Sequence, residues 1–210
     1  MADSAYLQGL AVPDSDPPRH SLIVRITHWT NTLSFAALVV SGIAILIAHP
    51  RLYWGETGSA ATPSLIDLPL PLVLQNQNGW GRYLHFLAAW VCVANGALYV
   101  SSGVLTRHFR NDLPMTYGLP QRLTYLMVVF ALFPLIIWTG LAMSPALTSV
   151  FPALVTLLGG HQSARTIHFF AAGAVVLFLF GHVAMVVRAG FVNQVRAMIT
   201  GRDDDREGKV

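Results

Sequence analysis

One apolar run, Arg165 to Arg188, decides the fold of this chain; it reads R-T-I-H-F-F-A-A-G-A-V-V-L-F-L-F-G-H-V-A-M-V-V-R. Between its terminal arginines only two side chains are ionisable, His168 and His182, and fourteen residues separate them. The run is long enough to cross a bilayer as a helix, which needs about 20 apolar residues. On a helix this spacing places both imidazoles on nearly the same face, about 21 Å apart along the axis. The run therefore offers one nitrogen ligand near each membrane surface.

The composition agrees with a membrane protein. Of the 210 residues, 54% are hydrophobic and only 11% are charged, which excludes an ordinary soluble globular domain. The single cysteine, Cys92, excludes an internal disulfide and a cysteine-rich metal site. The net charge of +3 is distributed along the membrane boundaries, so we expect the lipid bilayer as a partner and no nucleic acid.

Three further apolar runs precede this one. With it they predict an all-α membrane protein, a four-helix transmembrane up-down bundle, whose spans are about 29–48, 83–101, 123–143 and 165–188. The expected organisation is an N-terminal arm (1–21), a four-span domain (22–190) with a long connection (49–82), and a C-terminal tail (191–210).

The distribution of positive charge predicts the orientation. Ten lysines and arginines fall on the side of the termini: Arg19, Arg25, Arg107, Arg110, Arg122, Arg188, Arg196, Arg202, Arg206 and Lys209. The other side has three, which are Arg51, Arg82 and Arg165. Because positive residues are retained on the cytoplasmic side, we expect both termini in the cytoplasm and the connection 49–82 in the periplasm of a bacterial inner membrane.

Four histidines then match in depth. His28 and His182 lie near the cytoplasmic surface, whereas His85 and His168 lie near the opposite one. Two histidines from facing helices at one depth form a bis-imidazole pair, which is the axial ligation that haem iron takes in bundle cores. Zinc is the competing metal, but two histidines leave its tetrahedral shell incomplete. The alternative without a metal is a pair of interhelical hydrogen-bonding histidines.

Arginines and glycines accompany these histidines. Arg25, Arg82 and Arg165 each precede a histidine by three residues, so they are candidates to bind haem propionates. Their alternative role is membrane anchoring, which fits Arg25 better than the two arginines on the arginine-poor side. Gly42 and Gly96 return to the faces of the first two histidines and would give a flat ligand access to the backbone. Ordinary close packing of small residues is the alternative for both glycines.

The histidine motifs resemble those of a known family. R25-x-x-H28-W29, G-W-G-R82-x-x-H85-F, and R165-x-x-H168 followed by His182 are similar to the bacterial cytochrome b-561 type. This group includes the cytochrome b subunits of nickel-iron hydrogenases and the gamma subunits of formate dehydrogenases. The resemblance covers residues 21–188. It implies two haem b groups, electron exchange with ubiquinone or menaquinone, often a periplasmic redox subunit, and it allows a homodimer.

The expected function is electron relay, and no side chain is expected to be catalytic, because no nucleophile–base pair or paired carboxylates occur in the spans. The stretch H49-P-R-L-Y-W-G resembles family members that are paired with molybdopterin oxidoreductases, so the expected relay runs between the quinone pool and such a partner. Two alternatives stay open. One is a stand-alone superoxide oxidase of the same family, which would pass electrons from superoxide to quinone, and the other is a haem-free membrane anchor.

Overall fold

The structure, a computed structural model, describes residues 20–59, 61–69, 78–105, 123–124 and 126–201. Its elements, in chain order, are α1 (Leu22–Ala48), β1 (Arg51–Leu52), β2 (Ile66–Asp67), α2 (Asn78–Leu105), a π-helical turn (Val128–Leu132), α3 (Phe133–Ala142), α4 (Pro145–Thr148), α5 (Ala153–Thr156), α6 (His161–Arg188) and α7 (Phe191–Thr200). The predicted arm up to residue 19, most of the second connection and the chain after residue 201 lie outside the described residues.

Three of the described helices, α1, α2 and α6, are long and apolar enough to cross a membrane, and a fourth apolar helical stretch, Val128–Ala142, is shorter. The chain is therefore a helical membrane protein, as predicted. The first helix begins at Leu22, seven residues before the predicted span. Its start is defined by Ser21, whose hydroxyl accepts a hydrogen bond from the Val24 amide at 3.4 Å.

A π-helical turn interrupts the third apolar run. Pro134 has no amide hydrogen, so it cannot donate to the carbonyl of Phe130 four residues earlier. The amide of Phe133 donates instead to the carbonyl of Val128, five residues earlier. The wider turn accommodates the proline and lets the helical stretch continue to Ala142.

The most extensive helix packing occurs within two pairs, α1 with α2 and α3 with α6. A buried polar contact joins the first pair: the Asn95 side-chain amide donates to the Thr27 carbonyl and to Asn31 Oδ1, both at 2.8 Å. Interhelical hydrogen bonds in membranes contribute on average about 0.6 kcal/mol each, so this contact chiefly fixes register. It sets α2 against the part of α1 that carries His28.

The connection after α1 folds onto the start of α6. It forms a short antiparallel hairpin in which Arg51 and Asp67 pair at 3.0 Å. The carbonyl of Gly55 accepts hydrogen bonds from the amides of Gln162 and Ser163, which are two of the donors that a helix start leaves without an intrahelical partner. The connection thereby caps the helix that carries two of the four histidines.

The predicted C-terminal tail contains a helix that the sequence analysis missed. Within α7 the apolar residues recur at helical spacing, and they are Phe191, Val192, Val195, Met198 and Ile199. This periodicity was available in the sequence, but the helix is too short to register as a span. The indole N–H of Trp29 donates to the Met198 carbonyl at 3.2 Å, so the end of α7 contacts α1.

Candidate cofactor site

The structure brings the four histidines together as two pairs. His28 of α1 faces His182 of α6 with ring centroids 6.5 Å apart, and we call these two the inner pair, after the orientation expected from the sequence. His85 of α2 faces His168 of α6 at 6.2 Å, and we call these two the outer pair. Each pair takes one ring from α6 and one from the α1–α2 half of the bundle. The same partners were expected from the depths of the four histidines in the predicted spans.

The ring separations suit one metal ion shared by each pair. Two metal–imidazole bonds of about 2.0 Å, plus about 1.1 Å from each coordinating nitrogen to its ring centre, separate two opposed ring centroids by about 6 Å. Both observed distances agree with this value. Among the residues that the structure describes, no group of three or more His, Cys, Asp or Glu could hold a metal ion. The donor set therefore fits a bis-imidazole haem iron better than tetrahedral zinc.

Side-chain hydroxyls orient both rings of the outer pair. Ser41 Oγ lies 3.0 Å from His85 Nδ1, and Thr139 Oγ1 lies 2.9 Å from His168 Nδ1. Each hydroxyl donates its only hydrogen to a backbone carbonyl of its own helix, Ala37 at 2.6 Å for the serine and Leu135 at 2.8 Å for the threonine. The hydroxyl oxygens are thus left to accept Nδ1–H from the rings. That tautomer leaves the Nε2 lone pair of each imidazole available to a metal.

A glycine follows each of these hydroxyl residues. A Cβ atom added at Gly42 would lie 3.6 Å from His85 Cε1, and one added at Gly140 would lie 3.6 Å from His168 Cε1. The Ser-Gly of α1 and the Thr-Gly of α3 therefore occupy equivalent places against the two rings. Gly42 was predicted from the sequence, whereas Gly140 and both hydroxyls were not, although the similarity of S-G-I-A and T-G-L-A is a signal that points to them.

The inner pair has aromatic neighbours instead. Trp29 lies edge-on to His28, with ring centroids 5.6 Å apart and planes at 80°. Phe178 stacks on His182 at 6.3 Å, one helical turn away on the same helix. Within the described residues, no side-chain hydroxyl bonds to either ring of the inner pair. The two sites are therefore positioned by different means.

The surroundings of Gly96 differ from those of Gly42. A Cβ atom added at Gly96 would meet nothing within 4 Å among the described residues. Its neighbour Asn95 bonds to the carbonyl of Thr27, next to His28, so Gly96 lies at the depth of the inner pair. The open space beside it is compatible with the predicted access for a ligand.

The predicted propionate-binding arginines have different surroundings. The Arg165 guanidinium donates to the His49 carbonyl, and that of Arg25 donates to the Ile199 carbonyl. The Nε atom of Arg25 is buried without a hydrogen-bond partner among the described residues, so one charged donor is left over. Arg82 is exposed at the outer end of α2.

Positive charge lies close to His49, at the outer end of α1. Burial lowers the pKa of its imidazole below the usual value, and the nearby positive charges of Arg165 and Arg82 lower it further. Both arginines therefore act on one small region beside the outer pair. A cationic region at that place fits an anionic group such as a haem carboxylate.

Comparison with known proteins identifies relatives. Residues 19–201 match the family described as prokaryotic cytochrome b561. The chain is also similar to YedZ1 of Azospira oryzae, which is named as a subunit of a protein-methionine-sulfoxide reductase. That similarity amounts to 28% identity over 196 residues and covers 80% of this chain and 89% of the relative.

Proposed function

Given that the chain belongs to the prokaryotic cytochrome b561 family of haem b electron-transfer proteins, we propose that it relays electrons across the membrane through two haem b groups. His28 and His182 hold one group, and His85 and His168 hold the other. The observation that carries this proposal is the pair of ring separations, each of which fits one shared iron. Both pairs use α6, so a single helix fixes their spacing at about 21 Å along its axis.

Haem b supplies reversible one-electron chemistry at the iron when it is bound. The side chains of this protein hold the haem groups and tune their reduction potentials. The four imidazoles coordinate, while Ser41 and Thr139 hold the outer rings in one orientation and increase their basicity. Arg25, Arg82 and Arg165 are the donors for propionates. Gly42 and Gly140 leave room beside the rings of the outer pair, and Gly96 leaves open space at the depth of the inner pair. No side chain is assigned bond chemistry on a substrate.

A redox subunit on the outer side is the proposed partner. The name of YedZ1 places that relative in a protein-methionine-sulfoxide reductase, which favours a partnered protein over a stand-alone one. The connection after α1 is held to α6 by Thr166, whose hydroxyl donates to the Tyr53 carbonyl at 2.7 Å. A fixed surface therefore lies two residues along α6 from His168. We propose that this surface receives a periplasmic oxidoreductase of the molybdopterin type and that ubiquinone or menaquinone reacts at the inner end.

A superoxide oxidase is the second candidate. The observation that favours it is the cationic region formed by Arg82, Arg165 and the outer end of α1 at His49. Positive charge at an exposed redox site attracts a small anion and accelerates its encounter. In this case the purified protein alone would be reduced by superoxide and would pass electrons to quinone.

The test begins with the purified protein. Pyridine haemochrome analysis against protein concentration should give two haems per chain, both low-spin and six-coordinate. A ratio near one, or no haem, contradicts the paired-histidine proposal. Reduction by superoxide and electron exchange with a molybdopterin oxidoreductase from the same organism, measured separately on the same preparation, then distinguish the oxidase from the partnered relay.

A further inference from the structure

Helix α7 links the two helices that carry the inner pair. It follows α6 after the short link Ala189–Gly190, in which Gly190 has a φ of +92°. This left-handed conformation suits glycine and lets the chain turn sharply after the span. The C-terminal end of α7 then contacts α1. Helix α7 is thus joined to α6, which carries His182, through the chain itself. It is joined to α1, which carries His28, through direct contacts.

Two donors of α1 bind the end of α7. The indole N–H of Trp29 reaches the Met198 carbonyl at 3.2 Å, and the guanidinium of Arg25 reaches the carbonyl of Ile199. These are among the last carbonyls of α7, which a helix end leaves without intrahelical partners. The positive charge of the arginine also favours the C-terminal end of the helix dipole. Both donors therefore stabilise α7 in one position.

The same two residues flank His28 in the sequence. Trp29 is its neighbour and contacts its ring edge-on. Arg25 is one helical turn earlier. A shift of α7 would move the Trp29 indole and, through it, the His28 imidazole. Hydroxyl groups orient the rings of the outer pair, whereas no hydroxyl in the described part of the chain bonds to the rings of the inner pair.

We propose that α7 is a clasp that sets the spacing and ring orientation of the inner pair, with Trp29 as its positioning residue. The clasp matters for electron transfer only if the proposed haem ligation is right. Its structural content, the separation of α1 and α6 at their inner ends, does not depend on haem. The first experiment below tests the effect of α7 on the inner haem, and the second tests its effect on the separation of α1 and α6 without relying on haem.

The first experiment uses Trp29→Phe in the full-length holoprotein. Phenylalanine keeps an aromatic ring against His28 but loses the donor to Met198. The matched control is Trp138→Phe, which loses the equivalent indole bond to the Leu154 carbonyl, 3.1 Å long, near the outer pair.

Electron paramagnetic resonance of the ferric protein reads the angle between the two imidazole planes, which is 56° for the inner pair. Trp29→Phe should shift the inner signal and its midpoint potential and leave the outer ones unchanged, and Trp138→Phe should leave the inner ones unchanged. Unchanged inner signals in Trp29→Phe overturn the clasp.

The second experiment measures distance without relying on haem. Spin labels at positions 32 and 187, in a Cys92→Ser background, report the separation of α1 and α6 by pulsed dipolar spectroscopy. Trp29→Phe should broaden or lengthen the distribution, and Trp138→Phe should not. Ala197→Leu is a second variant, because the fully buried Ala197 of α7 has no room for a larger side chain. Identical distributions in wild type, Trp29→Phe and Ala197→Leu overturn the clasp, whereas a protein without haem but with these changes refutes only the electron-relay function.

Discussion

The hydroxyl of Ser41 lies 3.0 Å from Nδ1 of His85, although the two residues belong to different helices. The serine is fully buried and donates its own hydrogen to a backbone carbonyl, so it accepts the imidazole N–H. Thr139 stands in the same relation to His168. These contacts favour, for both imidazoles of the outer pair, the tautomer that leaves Nε2 free to bind a metal.

Removal of these hydroxyls should change the outer site selectively. In Ser41→Ala or Thr139→Ala the ring loses its acceptor, becomes less basic and stabilises ferric iron less. We expect the midpoint potential of the outer haem to rise. Loss of such an orienting partner typically weakens metal binding about 10- to 100-fold, so the outer haem should also be lost more readily on dilution. Redox titration followed by optical spectroscopy measures both effects.

Thr32→Ala is the matched control for these variants. Its hydroxyl is exposed and donates only to the carbonyl of His28 on the same helix, at 2.9 Å. The substitution removes a hydroxyl without removing an acceptor from an imidazole ring. Equal potential shifts in Thr32→Ala and Ser41→Ala would mean that the outer site does not depend on the hydroxyl contact.

The sequence predicted the histidine pairs because helical geometry is nearly rigid. Fourteen residues always bring two side chains to about the same face, and alternating spans then leave one pairing of depths. His28 with His182 and His85 with His168 could be derived without knowing any tertiary contact. The same rule placed Gly42 on nearly the same face of α1 as His28, and in the structure Gly42 lies next to His85.

Contacts that depend on the direction of a side chain could not be predicted in this way. Helical spacing does not show that Ser41 bonds across to α2 or that Arg25 reaches the end of α7. The length of the third helical stretch was also unpredictable, because a proline can kink, end or widen a helix. Here the π-helical turn before Pro134 was the outcome.

The open space beside Gly96 leads to a second prediction. Gly96→Val should reduce the occupancy of the inner haem, since the added carbons would fill space at the depth of His28, and should leave the outer haem in place. The protein itself should remain stable, because a Cβ there meets no described atom within 4 Å. Haem content and thermal stability, measured together, check this. Unchanged occupancy of both haems would show that Gly96 does not adjoin the ligand.

The cap of α6 leads to a third prediction. Gly160 has a φ of +116°, and a Cβ atom there would collide with the carbonyl group of Gly55. Gly160→Ala should therefore cost about 1–3 kcal/mol and release the connection from the helix start. Gly159→Ala is the control, because its φ of +78° is also unfavourable but its Cβ would meet only Ser163 at 3.6 Å. A larger fall in melting temperature for Gly160→Ala than for Gly159→Ala is the expected result.

The orientation of the chain is a fourth prediction. The excess of positive residues beside the termini predicts that both termini lie in the cytoplasm and the first connection in the periplasm. Reporter fusions at Val210 and within residues 56–64 should therefore give opposite signals. Signals from the same side would contradict the arrangement of four spans.

The last prediction concerns which histidines share a haem and in what order electrons pass. His28→Ala and His182→Ala should remove or convert the same haem, and His85→Ala and His168→Ala should affect the other, because each substitution takes one of two axial ligands from a single iron. His161→Ala is the control, since this exposed histidine opens α6 and belongs to neither pair. Redox titration of the variants should sort them into two classes.

The same variants test the direction of the relay through the protein. With a partner on the outer side, loss of the outer haem should also stop electron transfer between the partner and the inner haem, because about 21 Å of helix then separates the partner's side from the remaining iron. The His28 and His182 variants should still let the partner exchange electrons with the outer haem. Stopped-flow mixing with the partner enzyme measures both rates. An undiminished rate at the inner haem of His85→Ala, with the outer haem absent, would show that the partner reacts at the inner end.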